Sequence, residues 1–325
     1  MKLKTIKRLA AAGAAMLMTL SLAGCGAGSR SVKLGAAGVG GGYYAFSNAF
    51  AQMAVAADED LEFEVKATAG STANIRLLSD GYIDMAIAQA DLVDAAYNGT
   101  GVTDKKRYRG YSAVASLYTE ACQIVVRADS GIDSLDDLQG KKVSVGEEES
   151  GTQRNAEQIL KMTGLVESLV DTVNLDYVDA ANELKSGQID AFFCTAGIQT
   201  SVIEELSKEC TVKLIGIDDK CRDRLKSVYG FYTDYTIPAG TYEGQDQDVE
   251  TLGVRAVLLA RDDMDEEIVE ELTGLLFEHS QDIQYSIPLT FQINESEAVK
   301  NVTIPFHDGA KAYYQKKGIE IPAEQ

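Results

Sequence analysis

Residues 61–97 read LEFEVKATAGSTANIRLLSDGYIDMAIAQADLVDAAY, and this stretch decides the fold class. Its apolar runs, Leu61–Ala69 and Asp84–Ala88, predict two strands. Each run is followed by an amphipathic segment, Thr72–Ser79 and then Asp91–Tyr97, that predicts a helix. Strands alternating with helices are typical of α/β folds, in which helices cover a largely parallel sheet. We therefore expect an α/β protein.

The same alternation extends in both directions from this stretch. It begins with a strand at Val32–Ala37 and a helix at Tyr44–Ala57, and two separate strand-like runs, Ser112–Leu117 and Ala121–Arg127, come after the quoted segment. After turn residues at 128–131 the pattern restarts. Its further predicted elements are strands at 142–146, 172–177, 189–194 and 212–217 and helices at 153–163, 180–186 and 199–207.

A long β-like run at Thr251–Ala260 has no helix directly before it, unlike the earlier strands. A chain that leaves the first lobe near Arg127 and returns near Leu252 builds two α/β lobes joined by two strands. Helices predicted at Glu266–His279 and Asp308–Lys317 then pack on the first lobe. The resulting division has a signal segment at 1–24, a tether at 25–31, a first lobe at 32–127 plus 246–325 and a second lobe at 128–245.

The N-terminus carries the pattern of an exported bacterial lipoprotein. Met1–Arg8 is basic, and Leu9–Leu22 is apolar over roughly fourteen residues, fewer than the about 20 that cross a membrane. The sequence Leu22-Ala23-Gly24-Cys25 resembles a lipobox, in which the cysteine is lipidated; a plain cleaved signal peptide is the alternative. We expect an exported protein, held through Cys25 on the outer face of the cytoplasmic membrane or in the periplasm.

Composition and charge exclude several classes of protein. The 325 residues are 45% apolar, which suffices for a folded core and excludes a disordered chain. The 50 Asp and Glu outnumber the 30 Lys and Arg. Residues 1–24 contain four basic residues and no acidic one, so the formal charge changes from −20 for the chain to −24 without them. Because such a surface repels nucleic-acid phosphates, we expect no nucleic-acid partner.

The spacing of the cysteines leaves their redox state open. With Cys25 assigned to lipid, four remain, and no CxxC or Cys/His cluster occurs. A disulfide between Cys210 and Cys221, which flank a short predicted strand, is one alternative in an exported protein. Cys122 and Cys194 lie within apolar strand patterns, and we expect them to be buried free thiols.

An enzymatic function has little support in the sequence. His279 and His307 are the only histidines, and neither lies in a loop that follows a predicted strand. The segment Gly35–Tyr44 is glycine-rich and precedes a helix, but its GxGxxG spacing is imperfect, and an exported protein rarely meets NAD. We therefore expect no catalytic residue, no cofactor and no metal site.

Candidate binding residues follow the predicted strands. In an α/β sheet, ligands bind beyond the carboxyl ends of the strands, where helix N-termini offer free N–H groups. Five such loops are rich in Gly, Ser and Thr, which suits a small polar ligand held by backbone and hydroxyl groups. Tight turns, core tyrosines and helix caps are the structural alternatives. The loops would contribute Tyr43, Tyr44, Ser71 or Thr72, Gln89, Ser150, Thr152 and Thr195.

Eight motifs, in their order and spacing, resemble those of one family. They are GYY at 42–44, AGSTANIRLL at 69–78, DMAIAQAD at 84–91, ASLY at 115–118, VVRADSGI at 125–132, SGT at 150–152, IDAFF at 189–193 and IPAGTY at 237–242. Together they span nearly the whole chain after the signal segment. On these motifs the chain resembles the TAXI-type solute receptors of tripartite ATP-independent periplasmic (TRAP) transporters.

The resemblance implies a two-lobed periplasmic-binding-protein fold, type II-like, that closes on a small ligand and delivers it to a TRAP membrane permease. It implies no catalysis, and we expect a monomer. Ligands associated with the family are glutamate, glutamine and small dicarboxylates such as 2-oxoglutarate. Carried onto this chain, the ligand-binding residues would be Tyr43, Tyr44, Ser71, Asn74, Gln89, Ser150, Thr152, Thr195 and Gly197.

One segment departs from the family pattern. Where relatives have a neutral stretch before Ser-Gly-Thr, this chain has Glu147–Glu149. If one of these glutamates faces the cleft, an amino-bearing or cationic ligand fits better than a plain dicarboxylate; if all of them face solvent, the ligand class is unchanged. An ABC-type receptor, a sensory ligand-binding lipoprotein and, from a different class, an extracytoplasmic enzyme are the alternative functions.

Overall fold

The computed structural model describes residues 30–101, 105–166, 168–287 and 293–322. The expected signal segment, the lipidated Cys25 and all but the last two residues of the tether lie outside the described residues. The strands are β1 (Ser31–Gly35), β2 (Glu62–Lys66), β3 (Met85–Gln89), β4 (Tyr111–Arg127), β5 (Lys142–Ser144), β6 (Asp171–Val173), β7 (Ala191–Ala196), β8 (Val212–Leu214), β9 (Thr233–Ile237) and β10 (Val249–Arg261). The α-helices are α1 (Gly42–Ala57), α2 (Ser71–Ser79), α3 (Ala90–Asn98), α4 (Gly151–Thr163), α5 (Tyr177–Ser186), α6 (Ser201–Glu209), α7 (Asp219–Val228), α8 (Glu266–Glu278), α9 (Ser280–Ser286), α10 (Glu295–Ala298) and α11 (Asp308–Lys316).

These strands form one sheet, in the order β2–β1–β3–β10–β4–β7–β5–β6, with β8 beside β4 and β9 beside β10. The strands β2, β1 and β3 are mutually parallel, and so are β6, β5 and β7. Between the two groups, β4 and β10 run antiparallel to each other and to their outer neighbours. Each parallel group therefore forms the sheet of one lobe, and β4 and β10 belong to both.

The long strand β4 differs from the prediction of two separate strands at Ser112–Leu117 and Ala121–Arg127. It is continuous because the residues between those runs stay paired with β10, Thr119 with Arg255 and Glu120 with Val254. The carboxyl side chain of Glu120 interrupts the apolar pattern, and yet the residue is buried. Glu120 therefore lies where β4 crosses from one lobe to the other, and not in a turn between two strands.

Each lobe has its own apolar core. One cluster of buried side chains joins β1, β3 and α1 to β4 as far as Tyr118 and to β10 from Ala256 onward. Two further clusters cover the two faces of the second lobe's sheet; they include Ile159 on one face and Phe192 on the other. Burial of apolar surface therefore stabilises each lobe separately. The polar groups that lie between the lobes are not part of either core.

One other predicted element needed correction, and two observed elements were not predicted. The predicted strand at 172–177 ends at Val173, and Tyr177 instead begins α5, because the side chain of Asp176 accepts the N–H of Asp179 and caps that helix. The sequence patterns did not predict α7 or β9. The two-lobed α/β fold is confirmed, whereas the domain ranges 32–127 plus 246–325 and 128–245 stay a prediction.

The cysteines within the described residues are all free thiols. Cys122 and Cys194 are buried, as expected, and the alternative of a disulfide between Cys210 and Cys221 is not realised. In the part of the chain that the structure describes, no helix is both long and apolar enough to span a membrane.

Candidate functional site

A pocket lies where the two lobes meet, beside the crossing strand β4. Its volume is about 470 Å³, a value that includes open solvent at its mouth. Four helices begin at its wall, α1 and α2 from the first lobe and α4 and α5 from the second, because each follows a strand of a parallel group. The lining residues are Ala37, Gly38, Gly41, Gly42, Tyr43, Ala69, Gly70, Ser71, Gln89, Glu120, Glu147, Ser150, Gly151, Thr152, Asp176, Tyr177 and Thr195.

Glu120 is a buried carboxyl group in the wall of this pocket, on the part of β4 that crosses between the lobes. Tyr43 donates its hydroxyl to Glu120 Oε2 over 2.6 Å. Burial raises the pKa of Glu120 to about 8, and the hydrogen bonds from Tyr43 and Gln89 only partly oppose that rise. At neutral pH, Glu120 is therefore largely protonated before a solute binds.

Gln89 ends β3 beside Glu120 and is also buried. Its backbone N–H donates to Ser71 Oγ at 3.1 Å, and its side-chain Nε2 donates to Asn155 Oδ1 at 3.0 Å. The remaining atom, Gln89 Oε1, is buried without a hydrogen-bond partner among the described residues. Leaving such an acceptor unsatisfied costs about 1–3 kcal/mol, so a donor from outside the chain is expected here when Glu120 is ionised and has no proton to donate. We call Glu120 and Gln89 the pocket floor.

The orientation of the Gln89 amide follows from a chain of hydrogen bonds in the second lobe. Tyr232 donates its hydroxyl to Gln158 Oε1 at 2.5 Å, so its oxygen is left to accept Asn155 Nδ2 at 2.8 Å. Asn155 consequently presents its Oδ1 to Gln89, and only a nitrogen can donate to it. The unpartnered atom of Gln89 is thus its oxygen, an acceptor.

Three residues of the second lobe close a ring of hydrogen bonds on the opposite wall. The N–H of Thr195 donates to Thr152 Oγ1 at 3.2 Å, and the hydroxyls of Thr152 and Tyr177 lie 2.6 Å apart. Tyr177 donates to the carbonyl oxygen of Thr195 at 3.1 Å, so Thr152 is the donor to Tyr177. Because each hydroxyl hydrogen is already used, this ring fixes the position of α4 against β7.

The mouth of the pocket is acidic. Glu147 lines it and is half-buried, while Glu148 is exposed. Burial, with a smaller contribution from nearby Asp176, raises the pKa of Glu147 above its usual value. The described lining residues include no Lys, Arg or His. In the described part of the chain, no three or more His, Cys, Asp or Glu side chains form a group that could hold a metal ion.

Glu149 joins the two lobes. Its carbonyl oxygen accepts the backbone N–H groups of Thr72 and Ala73, at 3.1 and 3.2 Å, at the N-terminus of α2. Its carboxylate forms two parallel hydrogen bonds with Arg76, at 3.0 and 2.6 Å. The ion pair is partly exposed and contributes about 0–1 kcal/mol. Together with the bond between Gln89 and Asn155, these contacts describe the closed arrangement of the lobes.

The structure brings six of the nine predicted site residues to the wall of this one pocket. Ser71 accepts an N–H in the first lobe, and Ser150 caps α4 by accepting the N–H of Gln153 at 2.9 Å. Thr195 donates its hydroxyl to Cys122 Sγ at 3.8 Å. The six residues are Tyr43, Ser71, Gln89, Ser150, Thr152 and Thr195.

The other three predicted residues lie outside the pocket. Tyr44 lines an outer groove between α1 and α5. Asn74 is buried and donates to the carbonyl oxygens of Ala36 and Ile87, at 2.6 and 2.8 Å, which ties strand ends together. Gly197 follows β7 and accepts the hydroxyl of Thr200 through its carbonyl oxygen.

Sequence reasoning missed two residues that matter for the chemistry of the pocket. Glu120 lies inside a strand rather than after one, and its only signal was a charge within an apolar run. Tyr177 fell at the end of a wrongly predicted strand. The question left open for Glu147–Glu149 has a different answer for each residue: Glu147 faces the pocket, Glu148 faces solvent and Glu149 binds the other lobe.

Comparison with known proteins gives a family and a fold. The model of the NMT1-like family matches residues 34–318. A protein of Bordetella bronchiseptica RB50 has a similar structure, with a TM-score of 0.58, 15% identity and coverage of 89% of this chain and 98% of that one. A Xanthomonas citri protein, whose structure was determined bound to ATP, gives a TM-score of 0.50, 12% identity and coverage of 89% and 99%.

Proposed function

Because the chain belongs to the NMT1-like family, we propose that it is an extracytoplasmic solute receptor that encloses one small polar solute between its lobes and delivers it to a TRAP membrane permease. The solute is an amino acid such as glutamate or glutamine, or a small dicarboxylate such as 2-oxoglutarate. The observation that carries this proposal is the pocket between the lobes, walled by buried polar groups from both. We expect no chemical change of the bound solute.

A carboxylate of the solute fits the N-terminus of α1. Among the four helices that begin at the pocket, α2 has two N–H groups bound by Glu149, and α4 and α5 are capped by Ser150 and Asp176. Helix α1 has no side-chain cap, and Gly41 and Gly42 leave its first turn bare. Free N–H groups and the partial positive charge of a helix N-terminus favour an anionic group there.

Calorimetric titration of the purified full-length protein tests the proposal. The panel is the twenty L-amino acids together with 2-oxoglutarate, succinate and glutarate. We expect one-to-one binding of at least one of these solutes, with a dissociation constant in the micromolar range or tighter, and recovery of the solute unchanged by mass spectrometry. Absence of binding across the panel would contradict the proposed ligand class, and turnover of the bound solute would contradict the proposed function.

The transporter partner is a separate part of the proposal. A TRAP system has a large multispanning permease and no ATPase, whereas an ABC system requires an ATPase. Genes adjacent to the one that encodes this chain distinguish the two. A neighbouring multispanning permease without an ATPase supports the TRAP assignment, and a neighbouring ATPase with its permease supports the ABC alternative.

Cys25→Ser tests the proposed lipid anchor. One acyl chain gives weak membrane binding and two or more give stable anchoring, so removing the modified cysteine is expected to release most of the protein from the membrane. The measurement is fractionation of cells that express either form, followed by immunoblotting. Cys210→Ser, in a half-buried free thiol far from the lipobox in sequence, is the matched control and should stay with the membrane. Membrane retention of the Cys25 variant contradicts lipidation.

A further inference from the structure

The pocket floor, Glu120 and Gln89, has a chemistry that the proposed function leaves unused. Both residues are buried, both line the pocket, and they come from β4 and β3, the two strands on either side of β10. We infer that this pair binds the ammonium group of the solute and exchanges a proton for it, so that the solute is an amino-bearing compound rather than a plain dicarboxylate. The inference rests on the proposed function and narrows its ligand class.

The pocket floor has too few hydrogen-bond donors for its acceptors once Glu120 is ionised. Gln89 Oε1 is an acceptor without a partner among the described residues, because the amide nitrogen of Gln89 is directed toward Asn155 Oδ1. Glu120 accepts from Tyr43 and has further acceptor capacity when it is ionised. An ammonium group carries three N–H donors, which suffices for the two floor residues at once.

The charge of the pocket also favours an ammonium group. Glu120, Glu147 and Asp176 line the pocket, and no cationic side chain is among its described lining residues. A solute with two carboxylates would place both near these acids, with only helix N-termini to offset them. A solute that has an ammonium group opposite Glu120 and a carboxylate at the N-terminus of α1 satisfies both ends of the pocket.

Binding of the ammonium group is coupled to the loss of one proton from Glu120. Before a solute binds, Glu120 carries a proton at neutral pH, because burial raises its pKa to about 8. The solute arrives with a protonated amine, Glu120 releases its proton to the buffer, and the carboxylate binds the ammonium. No other bond forms or breaks. Below pH 8 binding therefore releases a proton, and the affinity should rise as the pH rises toward 8.

Other titratable or charged groups surround Glu120, and the experiment must separate them from it. Asp91, at the start of α3, is the one that also titrates near neutral pH, because burial raises its pKa to about 6. The pKa values of Tyr43, Tyr118, Tyr177, Cys122 and Cys194 are raised by burial, away from neutral pH. Other charged groups among the described residues are Glu147 and Asp176 at the pocket and Arg154 and Asp94 beside Asp91.

The test is calorimetric titration of the full-length protein at pH 6, 7 and 8, each in two buffers of different ionisation enthalpy. The probes are L-glutamate, L-glutamine and glutarate, which is L-glutamate without its amine. We expect the amino acid to release close to one proton at pH 6 and about half a proton at pH 8, and its affinity to rise about 50-fold between them. Glutarate should bind at least tenfold more weakly than L-glutamate at pH 8.

Three variants assign the effect. Glu120→Gln keeps the shape of the side chain and removes a buried acid, so it should fold; we expect it to abolish proton release and the pH dependence, and to weaken amino-acid binding at pH 8 roughly 10- to 100-fold. Asp91→Asn should retain both the proton release and the pH dependence of the affinity. The matched control, Glu148→Gln, changes an exposed acid in the adjoining loop and should behave like the unmodified protein.

The outcomes separate the inference from the proposed function. If the amino acid binds without releasing a proton, or if protons are taken up and the affinity falls as pH rises, the solute presents a carboxylate to a protonated Glu120 and the inference is wrong. It is equally wrong if proton release persists in Glu120→Gln and disappears in Asp91→Asn. If no solute binds the unmodified protein at any of these pH values, the proposed function itself fails.

Discussion

Gly151→Ala is expected to lower the affinity for the solute at least a hundredfold while leaving the protein folded. Gly151 begins α4 in the second lobe and lies against the side chain of Gln89 in the first. A Cβ atom at this position would lie 2.5 Å from Gln89 Cδ, 2.6 Å from Nε2 and 2.8 Å from Oε1. The amide must therefore leave the pocket floor and lose its bond to Asn155, or the lobes must stay apart.

A hundredfold loss corresponds to about 2.7 kcal/mol of binding free energy. Because the two residues belong to different lobes, the clash exists only in the closed arrangement, and the free energy of unfolding should change by less than about 1 kcal/mol. The measurements are calorimetric titration for binding and urea denaturation for stability. Gly230→Ala is the matched control, since a Cβ there meets nothing within 4 Å. Unchanged affinity in Gly151→Ala would show that binding does not require this closed contact.

Asn74→Ala is expected to destabilise the protein by about 3 kcal/mol, by a mechanism unrelated to the solute. The Asn74 side chain donates to the carbonyl oxygens of Ala36 and Ile87, and its Oδ1 accepts the hydroxyl of Thr68 at 2.7 Å. Alanine removes these three hydrogen bonds, each of which contributes roughly 1 kcal/mol, and only the bond from the Thr68 hydroxyl to the Ala36 carbonyl oxygen remains. Urea denaturation followed by circular dichroism measures the loss.

The matched control is Asn98→Ala. Asn98 is exposed at the end of α3, and within the described part of the chain its side chain bonds only that of Asp94, so its replacement should cost less than about 0.5 kcal/mol. Solute affinity of the Asn74 variant, measured well below its unfolding midpoint, should stay within a few fold of normal. Full stability combined with a large loss of affinity would instead restore the direct ligand contact that the family resemblance implied for Asn74.

The α/β fold could be predicted because its signals are local. Alternating apolar runs and amphipathic segments define strands and helices one at a time, and residues 61–97 were sufficient to indicate the class. The continuity of β4 could not be predicted in this way. Whether Glu120 interrupts a strand depends on its pairing with Val254, a residue more than 130 positions away, and on Tyr43, which satisfies its carboxyl.

The site was predictable to the extent that helix N-termini define it. Small polar residues after parallel strands identified six residues of one pocket in advance. The roles of those residues could not be predicted, since they depend on hydrogen bonds across the fold. Thr152 uses its hydroxyl on Tyr177, and Asn74 turns away from the pocket, whereas Gln89 keeps an oxygen without a partner.

A crystal structure of the protein with the amino acid that binds it most tightly tests the central claim most directly. We predict one solute molecule enclosed between the lobes, with its ammonium nitrogen within hydrogen-bond distance of both Glu120 and Gln89 Oε1 and a carboxylate at the N-terminus of α1. A solute bound elsewhere, for instance in the outer groove beside Tyr44, would contradict the claim of a receptor that closes on its ligand. A carboxylate of the solute against Glu120 would contradict the ammonium site alone.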